Sequence, residues 1–382
     1  MLPVAYQALV ALLLLAFWGL SRRNLRDYAK PSVAASPTPT DLYILLPARN
    51  EASQIAACLD GLLAQCWPHF TICVLDDGSE DDTAAIVSAY AQRDSRVKLL
   101  VGRPLPSGWA GKVWACHQLS QHALAHGAQW LLFLDADTRA APEFVGALLS
   151  YAQQNRAGMV STFPHQEIGS FWELVAMPML HFLVLTFLPI RAIWENPRPQ
   201  FVAACGQVEL FSAEAYRACG GHAAIPYSFH DGLQLARRVK AAGYTVRLCD
   251  ASHLISCRMY RGGRALWSGF TRNAYEGLGS FSALLIFTGL QLSLFLLPFL
   301  FLLDAAVQAT TQRFFPVWGA LVCLQVGLIL SLRWMQAARF GHRRAVWLHP
   351  LSLLLLVAVQ WASWWRHVRR QPIRWRGREY TT

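Results

Sequence analysis

Charge is missing from the first stretch of this chain. Residues 3–20 carry none, and the basic residues Arg22, Arg23, Arg26 and Lys30 follow the run instead of preceding it. A cleaved secretory signal has the opposite order, so the run reads as a retained anchor whose N-terminus lies outside the cell. The nine cysteines, at 58, 66, 73, 116, 205, 219, 249, 257 and 323, form no Cys-x-x-Cys pair. Mostly set in apolar surroundings, they read as buried thiols facing a reducing compartment rather than metal ligands or disulfides. No internal repeat or long low-complexity segment appears. No nucleic-acid-binding motif accompanies the formal net charge of +11, which fits an anionic lipid surface better than nucleic acid.

What is abundant is apolar. Hydrophobic residues make up 54% of the chain and the mean hydropathy is +0.28. Three more uncharged runs, residues 281–303, 314–332 and 345–365, close the sequence. Each is long enough to cross about 30 Å of hydrocarbon as a helix. The expected organisation is a transmembrane anchor (1–21), a basic Pro-rich linker (22–40), an α/β domain (41–270) and a C-terminal membrane region with a basic tail (271–382). This predicts a multi-pass protein of the inner cell membrane whose domain faces the cytoplasm. One conflict remains inside that scheme. Four spanning runs place the C-terminus outside, yet Arg366, Arg369, Arg370, Arg374, Arg376 and Arg378 argue for inside. The expectation is therefore that 345–365, which contains His349-Pro350, is re-entrant or interfacial and returns the tail to the domain.

Within the domain, apolar runs alternate with helical patterns: 42–46, 71–75, 97–101 and 130–134 as strands, with helices from about Glu51, Asp81 and Lys112. That alternation predicts a mainly parallel sheet covered by helices, and four polar loops at its C-terminal edge, where such sheets bind ligands. The loops are Pro47-Ala48-Arg49-Asn50-Glu51, Asp76-Asp77-Gly78-Ser79, Gly108-Trp109-Ala110-Gly111-Lys112 and Asp135-Ala136-Asp137. Two carboxylates one residue apart suit a hard divalent cation that bridges to phosphate. A lysine opening a helix suits the phosphate itself. Taken singly, each loop also reads as a turn or a helix cap.

Together the four motifs resemble the nucleotide-sugar half of family-2 glycosyltransferases with the GT-A fold, a Rossmann-like α/β architecture. Gly-Lys-Val-Trp-Ala-Cys-His-Gln (111–118), Arg-Met-Tyr (258–260) and Trp-Arg-Gly-Arg-Glu-Tyr (375–380) extend the likeness to membrane-bound bacterial enzymes that glycosylate carotenoids and other isoprenoid lipids. The resemblance implies that Ala48, Arg49 and Glu51 line a uridine site and that Asp76 or Asp77 contacts uracil or ribose. It implies Lys112 near the nucleotide, Asp135 on ribose, and Asp137 holding Mg²⁺ or Mn²⁺ on the diphosphate. Asp231, in Phe229-His230-Asp231-Gly232, would be the catalytic base, with His230 where the family usually has Glu; otherwise Asp231 caps the helix that follows. The processive Gln-x-x-Arg-Trp motif is absent. In its neighbourhood Arg258, Arg261, Arg264 and Trp267 either clamp the diphosphate and acceptor or are juxtamembrane charges and an interface anchor.

Residues 171–194 are very apolar, yet a spanning helix there would strand Asp231 across the bilayer from Asp135. They are expected to dip into the leaflet as an interfacial pair, either lining an acceptor path or serving as a plain anchor. His181 in this segment is expected to be a satisfied buried histidine. The resulting expectation is an inverting enzyme that moves one hexose, foremost glucose from UDP-glucose, onto a membrane lipid. A carotenoid hydroxyl or carboxylate leads; a hopanoid or ceramide-like lipid is next. A nucleotidyltransferase and a non-catalytic lipid-binding protein are the alternatives of other classes.

Overall fold

The computed structural model describes residues 2–34, 36–310, 316–375 and 378–380. Its centre is a seven-stranded sheet in the order β3-β2-β1-β4-β8-β6-β9. The strands are β1 (Leu42–Ala48), β2 (Phe70–Asp76), β3 (Val97–Val101), β4 (Trp130–Leu134), β6 (Met159–Ser161), β8 (Val208–Ser212) and β9 (Val246–Leu248). β1 to β4 are parallel, while β8 runs antiparallel to both β4 and β6. A small second sheet joins β5 (Thr138–Ala140), β10 (Ile255–Cys257) and β7 (His165–Gln166). The predicted strands 97–101 and 130–134 keep their bounds, and the first two are longer at the ligand-facing edge.

Alternation along the strands sends Leu45, Cys73, Leu131 and Phe133 to one face and Ile44, Leu46, Ile72, Val74 and Leu132 to the other, giving two buried layers. The helices covering them are α2 (Ile55–Leu63), α3 (Thr83–Arg93), α4 (Gly111–Ala125), α5 (Phe144–Gln154), α9 (Ala213–Ala218) and α10 (Asp231–Ala241). Register aligns Ala48 with Asp76, so the first two polar loops leave the sheet side by side.

The remaining helices are α1 (Leu2–Asp27), α6 (Phe171–Ala176), α7 (Met179–Phe187), α8 (Ala192–Glu195), α11 (Gly263–Leu278), α12 (Phe281–Leu290), α13 (Leu297–Thr310), α14 (Pro316–Phe340) and α15 (His349–Val368). A π-helical segment, Gln291–Leu296, joins α12 to α13. Among the described residues three helices are long and apolar enough to cross a membrane: Val4–Asp27, Phe281–Thr310 and Pro316–Phe340. α1 and α14 run in the same direction, matched by Gln325 to Gln7, Trp18 to Ser331 and Gln336 to Ser21. Both end against the α/β domain, where Arg339 pairs with Asp250 at 2.7 Å and Arg191 with Asp27 at 2.9 Å.

The apolar segment 171–194 is broken at Met177-Pro178 into α6 and α7, and Phe171–Phe187 is too short to span. His181 is buried and stacked on Phe340 at 3.9 Å; its Nε2 has no hydrogen-bond partner, so the packing is satisfied but that nitrogen is not. α15 starts beside Phe182 and Phe295, through His349, and then lies along α11, with Tyr275 N donating to Ser363 Oγ and Arg366 donating to Thr271 Oγ1. It ends near a hairpin of β11 (Ile373–Trp375) and β12 (Arg378–Tyr380), from which Arg378 reaches the domain.

Candidate active site

The four loops predicted at the sheet edge do meet there. Arg49 folds over the second loop, donating to the Asp77 carbonyl (2.6 Å) and the Gly78 carbonyl (2.7 Å). Asn50, at φ +54°, receives no help from glycine; its amide N–H donates to Ser79 Oγ (3.0 Å) and its side chain accepts from Glu80 N (2.8 Å). Gly78 itself stands at φ +70° with Arg49 close above it. Asp76 turns inward to accept from Ser79 N, a local turn bond, and does not border the cavity. Asp77 does, and it forms a bidentate ion pair with Arg378 from the C-terminal hairpin. Burial pushes the Asp77 carboxyl up by more than the Arg378 and Arg49 cations pull it down.

The centre of the site is Lys112. Its ammonium lies 2.8 Å from Asp135 Oδ1 and 3.1 Å from Asp231 Oδ2, and it donates to the Gly206 carbonyl at 2.8 Å. Burial alone would lower this lysine, but the two carboxylates outweigh it and hold the ammonium well above the usual range. The same contact works in reverse on Asp231: burial raises it, and Lys112 with His222 outweighs that and lowers it. Asp231 is therefore ionised at neutral pH. Its other oxygen accepts from Gly232 N at 2.9 Å, and the helix cap position belongs to His230, which makes no side-chain cap bond. Gly206 is required by this approach, since a Cβ there would stand 2.4 Å from Asp231 Oδ1.

Ala48, Arg49, Glu51, Asp77, Lys112, Asp135, Asp137 and Asp231 all border one cavity of about 640 Å³. Asp137 sits against Cys257 of β10, whose thiol is pushed up by burial and by Asp137 and Asp135. That cysteine stays a neutral thiol, leaving a hard oxygen donor facing the cavity. Among the described residues no three His, Cys, Asp or Glu side chains converge on one metal position.

Residues 43–216 match the model of glycosyl transferase family 2. That stretch of the chain is similar to the family-2 glycosyltransferase domain. The match takes in all four loops whole, and it ends before Asp231. A 4,4'-diaponeurosporenoate glycosyltransferase of Staphylococcus aureus (strain USA300) is 25% identical over 365 residues, 89% of this chain and 88% of that protein. A mannosyltransferase from Pyrobaculum calidifontis, solved with GDP-Man and Mn²⁺, superimposes with a TM-score of 0.55 at 16% identity, covering 97% of this chain and 98% of that one. The fold is GT-A and the activity is glycosyl transfer; nucleotidyl transfer and non-catalytic lipid binding give way to it.

The glycosyltransferase site differs from the expectation in its basic residues. Arg258 is held by Glu173, a fully buried acid that also accepts from Gly169 N and Gly262 N at 2.7 Å each. It fastens α6 to the start of α11 and does not border the cavity. Arg261, Arg264 and Trp267 are exposed and stand outside it too, because α11 turns that face outward to bury Leu266 instead. Arg272, one turn further along α11, borders the cavity in their place.

Two acids were not anticipated. Glu276 of α11 accepts from Ser228 Oγ (2.7 Å) and Phe229 N (3.2 Å), so a carboxylate from another element supports the loop where His230 replaces the family's Glu. Glu209 of β8, opposite Phe133, is 1% exposed, and its Oε1 has no hydrogen-bond partner. That oxygen stands 2.4 Å from where a Cβ on Gly232, next to Asp231, would be. Burial and then the Asp231 charge push its carboxyl well above the usual range, so it is neutral. A lone acid inside the apolar strand Val-Glu-Leu-Phe was the available signal.

Proposed function

We propose that the protein transfers a single hexose, foremost glucose from UDP-glucose, with inversion, onto a membrane lipid whose reacting group is a hydroxyl or carboxylate. A carotenoid-like lipid is the leading acceptor. The observation that carries this reading is the continuity of the cavity. From the acids at the sheet edge it runs past Phe229 and Tyr260 into an apolar slot bounded by Leu180, Leu183, Val184, Phe287, Leu356 and Val359, which belong to α7, α12 and α15. Such a slot suits a lipid chain lying alongside the leaflet, with its polar end at Asp231. The likeness to an enzyme named for an isoprenoid carboxylic acid supports the same class.

In this reading Ala48, Arg49, Glu51 and Asp77 hold the nucleoside and Asp135 the ribose. Asp137 would hold Mg²⁺ or Mn²⁺, since its hard oxygen beside a neutral thiol fits either ion. When bound, such an ion would supply positive charge against the leaving UDP. Asp231, opposite the leaving group, takes the acceptor's hydroxyl proton as the new bond to the anomeric carbon forms and the bond to UDP breaks. Lys112 and Arg272 supply positive charge on the diphosphate side. When Lys112 turns from Asp231 toward the diphosphate, Asp231 regains basicity. A carboxylate acceptor arrives already ionised and needs little from a base. The bilayer arrangement proposed is N-terminus out, three crossings, and the domain, α15 and the basic tail on the cytoplasmic side, which reconciles the tail arginines with the charge rule.

The test uses detergent-solubilised protein with UDP-glucose or GDP-mannose, Mn²⁺ and a panel of lipid extracts, following nucleotide release and glycolipid formation. Release that needs UDP-glucose and one lipid class supports the proposal. Release with GDP-mannose alone replaces the donor, and release without any lipid removes the acceptor class.

A further inference from the structure

The acceptor slot has two polar points on an apolar wall. Ser352 and Gln360 of α15 both border the cavity, and they are 1% and 3% exposed. Ser352 Oγ and Gln360 Oε1 have no hydrogen-bond partner. They lie eight residues apart on one face of the helix, roughly 12 Å along its axis, and Leu355, Leu356 and Val359 fill the wall between them.

Neither atom is explained by local structure. A helical serine commonly bonds the carbonyl four residues back, but Ser352 Oγ makes no such bond, although Ser352 N donates to the Leu348 carbonyl at 2.8 Å. A trapped water needs two to four polar partners, and the lining side chains between the two atoms, Leu355, Leu356 and Val359, offer none. Leaving a buried polar atom unmade is costly, whereas alanine or leucine at these positions would cost nothing in packing polarity. The donor half of the same cavity shows the contrast, since its charged side chains are already engaged with protein partners.

We infer that the natural acceptor carries a second polar group within its chain, at the depth of either Ser352 or Gln360, and that the residue at that depth reads it. A hydroxyl fits either position: at Gln360 it donates its proton to Oε1, and at Ser352 it donates to or accepts from the side-chain hydroxyl. This rests on the lipid-acceptor reading above and narrows it, from a plain hydrocarbon tail with one reacting end to a chain functionalised at two places. Ser352 and Gln360 are then specificity-determining residues and have no part in the bond-making step.

The experiment compares a C20 primary alkanol with C20 diols whose second hydroxyl is placed at graded distances, using the full chain in detergent with UDP-glucose and Mn²⁺. Wild type is expected to favour at least one diol over the alkanol by about tenfold in kcat/KM, the size of one hydrogen bond made in a dry site. The variant at the depth of the preferred hydroxyl, Gln360→Leu or Ser352→Ala, is expected to bring that ratio toward one, and the other variant to keep it. Equal use of alkanol and every diol by wild type, or a preference that survives both variants, overturns the inference. Binding is read in parallel by quenching of tryptophan fluorescence with brominated forms of the same lipids. Absence of all transfer then counts against the glycosyl-acceptor reading alone, while equal quenching by alkanol and diols overturns the inference by itself. Both substitutions remove an unpartnered buried atom, so melting temperatures at or above wild type are expected in the lipid-free protein.

Discussion

The two halves of the cavity are built on opposite principles. At the sheet edge the charged groups are tied to one another before any ligand arrives: Lys112 to Asp135 and Asp231, Arg49 to the Asp77 and Gly78 carbonyls, and Arg378 to Asp77. Between α7, α12 and α15 the wall is apolar and its few polar atoms are unengaged. On the proposed function, the difference follows from what each half would do. A charged donor enters from water and exchanges its partners with charges already held in place, so the site loses little by waiting in paired form. A lipid brings mostly surface, so shape and an occasional hydrogen bond are all that the slot can use to select it.

The sharpest way to break this comparison is to remove the chemistry from the donor half. Asp231→Asn is expected to lower transfer to a hydroxyl acceptor by about a thousandfold, within the range for loss of a general base. With a carboxylate acceptor the same variant is expected only to slow the reaction; equal collapse with both acceptors would remove Asp231 from the role of base. Asp137→Ala, or chelation with EDTA, is expected to stop UDP release, and added Mn²⁺ or Mg²⁺ should restore only the chelated wild type.

Lys112→Met comes next in size. It strips the shared cation from two buried carboxylates, and breaking such a pair costs about 3 kcal/mol. A lower melting temperature and roughly a hundredfold loss of kcat are expected. The pH profile carries the more specific reading. Lys112 holds Asp231 low, so its removal raises that carboxyl and moves the acidic limb of activity toward higher pH. A limb that stays in place in the variant would show that the pair does not set the base.

Glu209→Gln tests the buried acid behind Asp231 with a smaller effect. The Glu209 carboxyl is raised in the folded protein, so the stability it allows is present below the ordinary carboxyl range and is lost as pH rises toward its folded value. Glutamine has no such dependence. The variant's free energy of unfolding is expected to gain on wild type between pH 5 and pH 8, by up to about 1.4 kcal/mol per pH unit. A gap independent of pH would mean the acid is ionised in the fold. Arg378→Ala is the mildest change. Loss of its pair with Asp77 is expected to raise the donor KM about threefold, and more at acidic pH, because Asp77 then protonates more readily.

Much of the donor half was legible because its signals are local. Each loop follows its own strand within a few residues, and the short apolar runs 42–46 and 71–75 placed those strands in a buried sheet. Asp135 and Lys112, 23 positions apart by their numbers, were both readable as ligand-facing, though not as partners of each other. The arginines of 258–264 failed the same kind of reading. They resemble a clamp in sequence, but their direction depends on how α11 is rotated, and that is set by Glu173 from a different segment.

Composition and order alone determined that this chain has a long apolar N-terminal helix, an α/β domain with an acidic sheet edge, and an apolar C-terminal third. These follow from hydrophobic periodicity and run length, which act over one element at a time. Which cation faces the diphosphate side, which acid stands behind the base, where the tail lands and which atoms line the acceptor slot were decided only by the tertiary structure. Each of those depends on side chains from elements far apart in the sequence, and a helix turned by one residue, about 100°, would exchange one set for another.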